Sequence, residues 1–154
     1  MIQLYSLIFI LNIIPRFLFI YLFPETGGDY EIYTTVAKNI VNGCGVSLSE
    51  PGLGDCVPHF GGNHGPGYPL FISLIWSIFN FSDFMVRYIQ AIIYGFSCVW
   101  LSYSLFKYSG EKKSILIIGI ITALSPLLLA WPRYVQTETL ALASSIWVLA
   151  EIFL

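Results

Sequence analysis

IQLYSLIFILNIIPRFLFIYLF, residues 2–23, is the stretch that decides the fold. Its only formal charge is Arg16, and at ~1.5 Å rise per residue it is long enough to cross the ~30 Å hydrocarbon core of a bilayer. A cleaved leader would show a basic start, a shorter apolar region and a small-residue cleavage site. None of the three is here, so the segment reads as a membrane span.

The remainder of the chain agrees with that solvent. Of its 154 residues 56% are hydrophobic, 17% aromatic and only 10% charged, with a mean hydropathy of +0.76. A soluble domain carries roughly a quarter of its residues charged. The net charge of -2 and the pI near 5.5 provide no basic field, so nucleic acid is excluded as a partner. Further apolar stretches lie at 84–106, 114–132 and 139–154. Residues 66–80 are apolar too but reach only ~22 Å as a helix, too short to cross. The expected fold is an all-α polytopic membrane bundle: about four transmembrane helices, a juxtamembrane amphipathic helix and a short re-entrant or interfacial helix. The apolar character persists to Leu154, which reads as the front part of a larger membrane domain.

Basic residues mark cytoplasmic loops, whereas acids carry little topological weight. Lys107, Lys112 and Lys113 make 107–113 the most basic loop and place it inside. If residues 66–80 do not cross, the N-terminus is inside as well, and the long connection 24–83 and the turn 133–137 share the outer face; if they do cross, that connection is cytoplasmic and the N-terminus outside. The first arrangement is the one expected.

The exterior loop carries most of the polar chemistry. Asp29 is placed to cap a helix bearing Tyr30, Tyr33, Ala37, Ile40 and Val41 at near-helical spacing, and Gly43 to end it. Glu25, Glu50 and Asp55 read as surface solvation. Residues 45–65, rich in Gly and Pro with His59 and His64, read as irregular loop leading into Pro66-Gly67-Tyr68-Pro69. Glu138 is either an ordinary helix-start carboxylate or, with Asp29, half of a site on the outer face. Cys44 and Cys56 either pair or stay separate, while Cys98, in an apolar span, reads as packing. Arg16 either snorkels to the interface or faces a partner inside the bundle. Arg87 and Arg133 read as snorkelling to the interface or anchoring a helix end. Zinc spacings, a P-loop and a nucleophile elbow are absent from the sequence.

One ordered series runs through these residues: Arg16 in a first span, Gly28-Asp29 followed by Tyr33, Ala37, Asn39, Gly43 and Gly45, then Pro66-Gly67-Tyr68-Pro69, Arg87 opening a span, and Pro126, Arg133 and Glu138. In this order the sequence resembles the multi-spanning glycosyltransferases of the GT-C type that use polyprenyl-phosphate sugars, among them protein mannosyltransferases and aminoarabinose transferases. The resemblance implies a hexosyl- or pentosyltransferase with its active site facing outside and a lipid-linked sugar donor. The acceptor would be a protein, lipid or glycan. It implies a catalytic or metal-contacting carboxylate at Asp29 and a second at Glu138, where many relatives have Asp. His64, Arg87, Arg133 and Tyr68 become the substrate-binding candidates. A divalent ion, Mg or Mn, would fall to Asp29 and Glu138, although two acids do not by themselves define a metal site. The competing expectation is a noncatalytic membrane subunit or transporter fragment whose exterior loop binds a partner.

Overall fold

A computed structural model describes residues 1–48 and 65–154. Among the described residues seven α-helices follow one another: α1 (Ile2–Leu22), α2 (Tyr30–Val41), α3 (Gly67–Phe79), α4 (Asp83–Ser109), α5 (Lys112–Leu124), α6 (Pro126–Ala130) and α7 (Glu138–Ile152). A 3-10 turn, Trp131–Arg133, sits between α6 and α7, and the described residues contain no strand. They separate into two compact units, Met1–Glu25 with Arg87–Leu154, and Thr26–Val86.

The first unit buries several polar side chains and leaves many large apolar ones exposed. Ile14, Leu18, Ile117, Ile121, Val148 and Ile152 stand exposed, whereas Asn12, Arg16, Gln90, Ser102, Ser104 and Thr139 are buried. That arrangement is unfavourable in water and natural in hydrocarbon, where every polar group needs an internal partner. The serines find theirs one turn back: Ser102 Oγ donates to the Cys98 carbonyl at 2.8 Å and Ser104 Oγ to that of Trp100 at 3.0 Å.

α1 and α4 run antiparallel, with ring contacts stepping down one helix and up the other. Tyr5 meets Tyr103 at 6.1 Å, Phe9 meets Phe96 at 4.7 Å and Phe17 meets Tyr88 at 4.6 Å between centroids. Two glycines bring backbones close to α1. A methyl group at Gly95 of α4 would stand 2.8 Å from Ile13 Cδ1, and one at Gly119 of α5 would stand 2.8 Å from Ile8 Cγ1. Small residues at such contacts are how membrane helices gain dispersion energy without a hydrophobic drive. On the other side of α4, Tyr94 and Cys98 pack with Ala143 of α7, flanked by Leu142 and Ile146, and Trp100 stacks on Trp147 at 5.5 Å.

The apolar stretch 114–132 is one run in sequence but a broken helix in structure. Ser125 is extended, at φ -63° and ψ 117°, because the residue before a proline is pushed out of the helical region. Pro126 then starts α6 at a position where its missing N–H does no harm to α6 itself. Only α1 and α4 among the described helices are long and apolar enough to cross a bilayer. α5, with 13 residues, and α7, with 15, extend about 20 and 22 Å.

The second unit is built on α2 against α3. Tyr33, Val36 and Ala37 are buried from one side, Ile72, Ile75 and Trp76 from the other. α2 ends in a Schellman motif: Gly43, at φ +83°, donates to the Ile40 carbonyl at 3.1 Å, and Cys44 to that of Asn39 at 2.8 Å. Beyond it the buried Asn39 donates from Nδ2 to the Ser47 carbonyl at 2.7 Å. Tyr30 at the start of α2 donates its hydroxyl to Asp83 Oδ2 at 2.6 Å.

Candidate functional site

The antiparallel course of α1 and α4 brings the end of one beside the beginning of the other, and the polar chemistry of the first unit gathers there. Glu25 stands just past the C-cap of α1. Its carbonyl accepts from Arg87 Nη2 at 3.0 Å, its amide donates to the Arg133 carbonyl at 3.4 Å, and its carboxylate lies 3.3 Å from Arg133 Nη1. Arg133 is held further by its neighbours. Its guanidinium lies over the rings of Tyr134, at 4.6 Å, and Phe19, at 5.5 Å, and donates to the Tyr134 hydroxyl. Such stacking suits a planar guanidinium better than an ammonium. Glu25 thus brings the two guanidinium groups of Arg87 and Arg133 to one end of the unit.

Glu138 opens α7, where the helix dipole favours a carboxylate. Its Oε2 is buried without a hydrogen-bond partner, as are Arg133 Nε and the Thr139 hydroxyl. The turn that joins them is tied to α4 by Gln90, which is buried and donates to the Gln136 carbonyl at 3.2 Å. Arg87, Arg133 and Glu138, candidates from the sequence, thus belong to one unit with Glu25 and Gln90. Sequence reasoning assigned Glu25 to the solvent; its position directly after a span was the available signal. Gln90 carried none beyond being a polar residue in an apolar run.

Asp29 belongs to the second unit, at the N-cap position of α2, but its side chain makes no capping bond. Tyr68 is in the core of that unit, edge-on to Tyr33 at 5.0 Å and stacked with Phe71 at 5.9 Å, so its ring supports the α2–α3 contact. His64, with His59, Glu50, Asp55 and Cys56, lies outside the described residues. Cys44 is disulfide-bonded and Cys98 is a free, buried thiol. Among the described residues no three His, Cys, Asp or Glu side chains gather as a metal site. Asp29 and Glu138 fall in different units, and two carboxylates are a small part of the six-oxygen shell that Mg or Mn takes.

Arg16 does not snorkel. It is fully buried, with Nη1 2.5 Å from the Asn12 carbonyl and 3.3 Å from Asn12 Oδ1, and Nη2 2.8 Å from the Thr122 carbonyl. The Tyr94 ring lies 4.3 Å from its guanidinium carbon.

No curated protein and no solved structure matches the chain. Residues 63–154 match the family model described as dolichyl-phosphate-mannose-protein mannosyltransferase, and the matched part includes Arg87, Arg133 and Glu138. Together with the two long apolar helices and the many exposed apolar side chains, this makes the chain an integral membrane protein of the glycosyltransferase kind. Since the match extends over more than half of its length, the chain belongs to the dolichyl-phosphate-mannose-protein mannosyltransferase family.

Proposed function

We propose that this protein transfers a sugar from a polyprenyl-phosphate donor to a protein, lipid or glycan acceptor on the extracytoplasmic face of the cell membrane. The observation that carries the reading is the family match across the segment holding Arg87, Arg133 and Glu138. Sugar transfer breaks the bond between the anomeric carbon and the phosphate oxygen, so negative charge develops on the leaving phosphate. Arg87 and Arg133 are the groups assigned to meet it, with a planar fork that matches phosphate geometry. Asp29 takes the acceptor's proton as general base, and Glu138 orients the acceptor or the donor. The basic loop of Lys107, Lys112 and Lys113 supports a cytoplasmic α4–α5 connection, which puts the opposite ends of α1 and α4 outside.

Asp29→Asn tests the assignment. Asn is as good as Asp at an N-cap, so α2 should survive the change. Transfer from a lipid-linked sugar, measured with the complete protein in membranes, is expected to fall by about 10²–10⁴-fold, the usual range for a general base. Unchanged transfer at normal membrane levels would reject the role of Asp29.

A further inference from the structure

Arg16 is the largest fully buried side chain of the described residues, and it lies inside a helix of membrane-crossing length. A cation there is costly and needs a reason. Its partners are carbonyls and a ring rather than a carboxylate, and one of those carbonyls is special. In an α-helix the carbonyl of residue 122 would accept from the amide of residue 126. Residue 126 is proline and has no amide hydrogen. The next residue back, Ser125, donates to Ile121 instead, at 3.1 Å. The Thr122 carbonyl is thus left without its helical partner at a buried position, and there Arg16 Nη2 approaches to 2.8 Å.

The remaining contacts support the same arrangement. Asn12, also fully buried, reaches from α1 to the Gly119 carbonyl at 3.4 Å and to its own Ile8 carbonyl at 3.0 Å. Gly119 lets α5 approach so near α1 that a Cβ would collide with Ile8. The close approach brings the α5 carbonyls within reach of side chains one and two turns along α1. Guanidinium, with five donors in a fixed plane, can hold Asn12 and Thr122 at once, which an ammonium point charge does less well.

We propose that Arg16 is a positioning residue whose guanidinium supplies Thr122 with the hydrogen bond that Pro126 cannot, fixing the α5–α6 break from which Arg133 is suspended. The break leads through five residues of α6 directly into the 3-10 turn that ends at Arg133. α1 and the residues that follow it therefore grip this segment twice, at the break through Arg16 and at the turn through Glu25. The bearing on catalysis rests on the donor-phosphate role given to Arg133 above.

A double-mutant cycle with Pro126→Ala, which restores the missing amide, tests this in the full protein in lipid nanodiscs. Amide hydrogen exchange over 122–134 is the readout. Arg16→Met is expected to speed exchange in this segment at least tenfold, Arg16→Lys less, and Arg16→Met with Pro126→Ala to recover most of the protection. A purely space-filling Arg16 would give no recovery from Pro126→Ala, and that result overturns the proposal. If Arg16→Met alone fails to insert, rescue of insertion by Pro126→Ala supports the proposal and failure of both variants overturns it. In the same variants the KM for the lipid-linked donor should rise with exchange while kcat changes less. Exchange that follows the cycle while the donor KM stays constant would uphold the role of Arg16 and count against Arg133 as the phosphate contact.

Discussion

Arg133 and Glu25 are joined twice: the Arg133 guanidinium stands 3.3 Å from the Glu25 carboxylate, and the Glu25 amide donates to the Arg133 carbonyl at 3.4 Å. The two bonds differ in what they contribute. The ion pair has a Glu25 side chain that is 54% exposed, so solvent screens it, whereas the backbone link ties the end of α1 to the 3-10 turn irrespective of charge. Arg133 is therefore held mainly by chain and ring contacts.

Glu25→Gln separates the two contributions. Loss of the exposed ion pair should cost no more than ~1 kcal/mol of stability, read as a small change in the denaturation midpoint. Without that carboxylate beside the Arg133 guanidinium, affinity for a lipid-linked phosphate donor should be unchanged or tighter. A large loss of donor affinity would show that Glu25 itself contacts substrate.

Arg133→Lys keeps the charge and loses the plane. The stacking on Tyr134 and Phe19 and the bidentate grip on phosphate both depend on the guanidinium. The expected result is a roughly tenfold or greater rise in donor KM, corresponding to the ~1.4 kcal/mol of one good contact, with normal membrane insertion. Steady-state kinetics on the complete protein would measure it.

Gly119→Ala should destabilise the first unit although alanine is the better helix former by ~1 kcal/mol. The new Cβ meets Ile8 at Cγ1, Cδ1 and Cγ2, within 2.8–3.2 Å, and two of these, Cγ1 and Cγ2, branch from Cβ too near the Ile8 backbone to swing away. Overpacking of this kind costs about 1–3 kcal/mol. Gly95→Ala should cost less, because its shortest contact, also 2.8 Å, is the mobile end of Ile13. Thermal unfolding of the two variants in detergent would rank them, and the addition of Ile8→Ala to Gly119→Ala should cost less than the sum of the single changes.

Much of the helical architecture was legible in the sequence because its cause is local. A long apolar run in a weakly charged chain forms helix since the backbone must satisfy itself in hydrocarbon. The end of α2 at Gly43 was legible for a similar reason, since a left-handed residue closing a helix favours glycine. The break after Leu124 was in principle legible as well, in Pro126, yet the apolar run through 114–132 hid it because hydropathy does not register a missing N–H.

Side-chain roles at the candidate site were harder to read. Glu25 looked like solvent-facing charge, and only the antiparallel course of α1 and α4 places its carbonyl against Arg87. Tyr68 was a substrate candidate by motif, and its aromatic stacking with Tyr33 and Phe71 shows the packing duty that the motif also serves.

Composition and apolar run length by themselves determined that this is an all-helical membrane protein, and the order of a few motifs pointed to its family. Tertiary structure alone decided the direction of Arg16. Whether a buried cation snorkels or is retained depends on an acceptor within reach, and the Thr122 carbonyl that receives it is 106 positions away in the chain. No local pattern encodes that meeting; it arises because a proline withholds one hydrogen bond and a glycine lets two helices come close enough to replace it.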